Sequence, residues 1–274
     1  MNKIRKLIRT KWLTLLVLIT TVLLFIITIK NYLDQYAMID GYNFSDFRVV
    51  YFDIQTCTGI SMLIFPLILI AIVIDRWHQL FKNGNIKNYL TRVSYKKLKR
   101  KILSSLALIS LLYPAILVIY LIISLILSAG GIEHLTRADF DIVFNYNLYK
   151  NFILYFFLHS ILLYIAGFTT SQFALLFLNK VKSKILTVVF SYCAYFLTSF
   201  LLAYGIDVLM QMFFEININS SYIDYFQIWY PRADINYGLY LVSNIIFCSV
   251  LSLVIMKMYK KKEKVLMTNE KEMV

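Results

Sequence analysis

The chain has 274 residues, of which 60% are apolar, with a mean hydropathy of +0.69 and a formal charge of +13. A soluble domain is roughly 45–50% apolar, so a soluble chain of this size could not hide so much apolar surface, and lipid is the economical solvent. The charge does not describe a nucleic-acid surface either, because the basic residues fill gaps between apolar runs instead of gathering on one folded face.

Residues 1–11 carry Lys3, Arg5, Lys6, Arg9 and Lys11, with Ile4, Leu7 and Ile8 at helical spacing. They read as a short basic amphipathic helix lying on the inner membrane surface. An apolar run over 12–29 follows, and after it Lys30-Asn31-Tyr32-Leu33-Asp34 in place of a small-residue cleavage pattern. It reads as a retained first span and not as a signal peptide.

The remaining predicted spans are 54–74, 102–128, 152–178, 185–213 and 237–256, each long enough to cross a bilayer. Pro66 in the second removes a backbone donor and predicts a kink or local opening, and the third contains Pro114. Gly130-Gly131 marks the stop of the third. The tail, 257–274, is short and charged and reads as a solvated end. The expected fold is therefore all-α: one polytopic membrane domain, 1–274, with six transmembrane helices and no soluble domain.

Charge sets the sidedness. With the N-terminus inside, the cytoplasmic segments hold 23 Lys/Arg and the outer ones five, namely Lys30, Arg48, Arg137, Lys150 and Arg232. That is the bias that positive-inside sorting produces, and it puts both termini in the cytoplasm. Eleven of the 15 acids fall outside, including Asp40, Asp46, Asp139 and Asp141. The resulting outer face could draw in a cationic peptide at long range, although sorting alone would also leave acids there.

Residues that carry chemistry are scarce. His78, His134 and His159 lie in three different segments and form no ligand pair, and Cys57, Cys193 and Cys248 match no metal spacing. The cysteines read as small apolar packing residues. No pair of ionisable groups at mid-membrane suggests hydrolysis; Asp207 comes nearest and falls close to the outer interface. No phosphate loop or nucleophile elbow is found. No catalytic residue, metal or cofactor is expected, and the chain reads as a non-enzyme. Polar residues inside the spans are hydroxyls and amides: Thr169, Thr170, Ser171 and Gln172, then Thr198 and Ser199, then Ser243 and Asn244. They could bond between helices or back onto their own helix. They could also line a translocation path.

The most informative stretch is 75–101, a basic loop with nine Lys/Arg and one acid between the second and third spans. Asp75 opens it. Trp77, Leu80 and Phe81 then form an apolar stripe at i, i+3 and i+4 beside Arg76, His78, Gln79 and Lys82. Asn83-Gly84-Asn85 is a turn signal, and a short helical piece ending at Leu90 precedes a hydroxyl-rich basic run into the third span. A loop resting on anionic lipid would explain the charge but not this order.

The order resembles the first cytoplasmic loop of the type-2 ABC transporter permeases, the exporter class with six spans per subunit. Asp75 stands where that family usually has Glu, Arg92 where Pro is common and Tyr95 where Arg is common. The resemblance extends to the basic N-terminal helix, the short gap at 179–184 and the long outer segment 215–236, where the family has membrane-dipping helices. It implies that Asp75, Arg76, Trp77, Leu80, Phe81, Gly84 and Leu90 couple the chain to an ABC ATPase subunit, itself a homodimer. Trp77, Leu80 and Phe81 would enter a groove on that subunit. It implies a second permease copy or a sibling permease as partner, and no nucleic acid. The cargo expected from the resemblance is an antimicrobial or toxic peptide, in export or self-immunity at a bacterial cytoplasmic membrane. The competing expectation is a membrane immunity or sensor scaffold without an ATPase.

Overall fold

The computed structural model describes residues 46–56, 61–81, 94–129, 131, 150–178, 180–214 and 237–271, with scattered helical positions between 19 and 30. Every regular element among them is an α-helix: α1 (Phe47–Thr56), α2 (Ser61–Phe81), α3 (Tyr95–Ser110), α4 (Leu112–Leu127), α5 (Phe152–Phe177), α6 (Lys184–Phe214) and α7 (Tyr237–Lys271). Five helical stretches are apolar and long enough to cross a membrane: Ile64–Phe81, Lys96–Leu127, Phe152–Phe177, Lys184–Leu201 and Tyr240–Met258. The amphipathic helix at 1–11, most of the first span and the segment 215–236 lie outside the described residues.

Several boundaries differ from the sequence expectation. Within 54–74 the described residues belong to α1, up to Thr56, and to α2, from Ser61, and the membrane-length stretch runs from Ile64 to Phe81. Pro66 is accommodated inside α2. The third span is divided at Leu111. The division falls one turn before Pro114, whose ring crowds the carbonyl four residues back, that of Ser110, and cannot donate to it. The helix stop comes at Ser128, where Ala129 takes the left-handed conformation (φ 51°) that the following glycines would be expected to supply. α7 runs through the tail to Lys271.

α5 is the hub. It packs against α2, α3, α4, α6 and α7, and α1 lies against α4. At one end of the bundle Phe152 of α5 meets the rings of Phe47 and Tyr51 edge-on, with centroids 5.4 and 5.2 Å apart. Each such pair contributes about 0.5–1.5 kcal/mol beyond the area it buries. Asp46 starts α1: its carboxylate accepts from the Arg48 amide at 2.8 Å and pairs with the Arg48 guanidinium at 2.7 Å.

Further along α5, small residues allow close approach. A Cβ on Gly167 would meet Ser110 O and the Tyr113 ring at 3.2 Å, so the hub touches the third span at its division. Outside the bundle, Leu108, Ile126, Ile153, Ile185, Leu201 and Leu253 are all more than half exposed. A belt of that kind is stable in a bilayer, where helices are apolar on their outer faces as well.

Candidate functional site

The loop residues singled out from the sequence fall at one end of the bundle. Asp75, Arg76, Trp77, Leu80 and Phe81 form the last two turns of α2 and continue the span without a separate helix. The apolar stripe faces inward. Trp77 and Phe81 are buried and Leu80 is half-buried, while Arg76 and Gln79 are exposed. Trp77 Nε1 donates to Ser105 Oγ of α3 at 3.3 Å. A groove contact made by Trp77 would require it to leave that partner. Gly84 and Leu90 lie outside the described residues.

Asp75 is almost fully buried and forms an ion pair with Lys184, the first residue of α6. One turn on, His78 Nε2 is 3.3 Å from the carbonyl of Val181. A backbone carbonyl can only accept, so the His78 proton resides on Nε2. Sequence reasoning missed both contacts, since nothing in the local pattern of 179–184 marks Lys184 over Lys180 or Lys182. The two basic gaps of the chain are thus tied together. Lys96, Lys97, Arg100 and Lys101 stand exposed around this joint, and Leu98 anchors the start of α3 with no exposed surface. A buried carboxylate is costly unless paired, and Lys184 supplies the charge that keeps Asp75 there.

The residues considered for a path are packed inside the subunit. Thr169, Thr170, Ser171, Gln172, Ser199 and Asn244 are buried and Thr198 is half-buried. Thr170, Ser171, Thr198 and Ser199 each donate to a carbonyl four residues back at 2.7–2.9 Å, and the Asn244 amide does the same to Tyr240 O. Two of them bond between helices. Thr169 Oγ1 reaches Cys248 O at 3.1 Å, and Gln172 Nε2 donates to Ser252 Oγ at 2.9 Å, both joining α5 to α7. The structure brings Thr169, Gln172 and α7 together, and Thr198 and Ser199 turn onto their own helix.

The sequence reading placed no paired ionisable chemistry at depth, yet a buried polar cluster joins α1 to α5. Tyr155 O–H donates to Gln55 Oε1 at 2.9 Å, and Gln55 Nε2 lies 3.2 Å from His159 Nε2. An amide nitrogen only donates, so His159 Nε2 accepts and its proton sits on Nδ1. His159 and Gln55 are fully buried. The signal was present as single polar residues in apolar surroundings, but their 104-residue separation concealed the pairing. Asp53, outside the spans, is also buried, and burial pushes its carboxyl up to about 7.

Among the described residues no group of three or more His, Cys, Asp or Glu is placed to hold a metal. No protein-family model, curated protein or solved structure matches the chain.

Proposed function

We propose that the chain is the membrane-spanning subunit of an ABC transporter, moving an antimicrobial or toxic peptide across a bacterial cytoplasmic membrane in export or self-immunity. ATP hydrolysis occurs on a separate subunit. The observation that carries this reading is the joint at the basic end. Asp75 and His78, at the end of α2, are bound to Lys184 and Val181, before and at the start of α6. A push on the loop after α2 reaches both α2 and α6 through this joint, as a rigid-body switch requires. The resemblance of the 75–101 residue order to the permease coupling loop supplies the identity of the pusher.

Within that loop the roles divide. Trp77 and Phe81 anchor the end of α2 against the subunit's own helices, and the exposed Arg76 and Gln79 face the ATPase. The path lies between two permease copies, since Thr169 to Gln172 are taken up by packing within one. That same burial favours a second reading, an immunity or sensor scaffold that moves nothing.

Co-purification separates the two. The full chain, isolated with its membrane partners, is expected to retain a nucleotide-hydrolysing subunit whose ATPase rate rises in the complex. Arg76→Glu combined with Gln79→Glu is expected to release that subunit while leaving membrane insertion intact. Isolation with no ATPase, together with full protection against a peptide in cells, overturns the transporter reading.

A further inference from the structure

We propose that the cavity beside the start of α5 binds one anionic phospholipid, with the phosphate held by Lys150 and Arg48 and the acyl chains lying along α5. The cavity measures about 650 Å³, within the usual range for a small-molecule site and suited to a head group and glycerol. Arg48, Lys150 and Asn151 form its polar side, while Phe47, Phe157 and the first turn of α5 form its apolar side.

Charge and the run of the apolar wall together select the occupant. Asp46 engages Arg48 through Nε at 3.1 Å and an η nitrogen at 2.7 Å. Lys150 is exposed and has no ion-pair partner among the described residues, so one positive charge is left facing the cavity. The wall does not close behind this charge. Ile153 is 85% exposed, and Leu154 and Phe157 about as open as the rest of the outer belt, at 59% and 62%. They begin a helix that is apolar and long enough to span a membrane, so the cavity sits at a span end and opens along the bilayer-facing side.

A cation at the span end followed by an apolar track toward the bilayer centre has the layout of an amphiphile with an anionic head. A soluble anion would leave the track bare. A zwitterionic lipid would leave Lys150 without a net countercharge, and a cationic peptide would be repelled by it.

The test uses the full chain in neutral detergent, titrated with phosphatidylglycerol or phosphatidylcholine, with retained lipid counted by native mass spectrometry. Phosphatidylglycerol is expected to be retained at one per chain and to outcompete phosphatidylcholine by about fivefold, the value of one basic side chain at an anionic surface. Lys150→Gln removes that preference, Lys150→Arg restores it, and Lys101→Gln, at the opposite end, leaves it unchanged. Lys150 is exposed and unpaired, so its replacement leaves the fold intact, which an unchanged thermal midpoint verifies. Equal retention of the two lipids, or a preference that survives Lys150→Gln, overturns the proposal. Displacement of the lipid by excess inorganic phosphate also overturns it, reducing the site to one for a small anion.

Discussion

The carboxylate of Asp75, at the end of α2, is paired with the ammonium of Lys184, which opens α6 more than a hundred residues later. The two partners are unequally placed. The Asp75 side chain is 5% exposed and that of Lys184 is 34% exposed. Removing the aspartate leaves a lysine that can swing into water. Removing the lysine takes the countercharge from a carboxylate that is almost fully buried.

Lys184→Ala is therefore expected to destabilise more than Asp75→Ala. Breaking a buried pair costs about 3–5 kcal/mol, while exposed pairs are worth about 0–1. A partly open pair like this one places Lys184→Ala at roughly 2 kcal/mol and Asp75→Ala near 1. Thermal unfolding in detergent measures both, and the reverse order would contradict the assigned burial.

Gly167 is where the hub helix approaches the divided third span. A methyl group there meets Ser110 O and the Tyr113 ring at 3.2 Å, so a neighbour must move by a few tenths of an ångström. Glycine to alanine ordinarily gains about 1 kcal/mol inside a helix. Here overpacking, which costs about 1–3 kcal/mol, is expected to cancel that gain or reverse it. Gly167→Val, with more volume, is expected to lower the thermal midpoint further. A rise with alanine would show that the division at Leu111 gives way readily.

The Gln55–Tyr155–His159 cluster is expected to behave as a unit. Gln55→Leu removes the acceptor of the Tyr155 hydroxyl and the donor to His159 Nε2 together, and losing a partner of a buried polar group costs about 1–3 kcal/mol. His159→Leu removes the acceptor of the Gln55 amide. In the double variant Gln55→Leu with His159→Leu the losses do not add, because each change removes the partner that the other had stranded. A double-mutant cycle reads this as a coupling energy of about 1 kcal/mol or more, and additive effects would show that the bond contributes nothing.

Asp53 gives the fold a pH dependence of predictable sign. Burial raises its carboxyl from the ordinary 3.8 to about 7. The folded chain thus holds a proton that the unfolded chain releases earlier. Its contribution to stability is fully present below about pH 4 and declines as pH rises to about 7, by at most roughly 4 kcal/mol. The thermal midpoint is expected to be lower at pH 8 than at pH 5. Asp53→Asn should flatten that slope and raise the midpoint at pH 8, and an unchanged slope would assign it to another group.

What could be read from the sequence follows from what repeats along it. Apolar runs at membrane length are a collective signal, and α5 through α7 begin within a few residues of where hydropathy places them. The kink was expected at Pro66, which α2 accommodates, and the division falls instead at Leu111, where the local steric effect of Pro114 explains it. The helix that precedes the second span was not legible for a physical reason. Phe47, Val50, Tyr51 and Ile54 make an apolar face interrupted by Arg48 and Asp53, so polarity alone reads α1 as a loop, although its packing on α4 and α5 buries it. The inward turn of Trp77 and Phe81 was hidden for a similar reason. An i, i+3, i+4 stripe shows that a face exists but not which neighbour claims it, and Ser105 decides that. The Asp75–Lys184 and Gln55–His159 pairs depend on three-dimensional proximity, which no local pattern encodes.

The bonds from Thr169 and Gln172 to α7 also bear on how the protein is made. α7 leaves the ribosome after α5, so until it arrives the Gln172 amide has no Ser252 to donate to. A nascent chain stopped before residue 237 would carry that amide, in the last two turns of α5, without its partner on α7. The arrival of α7 thus satisfies a polar group that α5 carried into the membrane without its partner, and that group marks chains that lack α7.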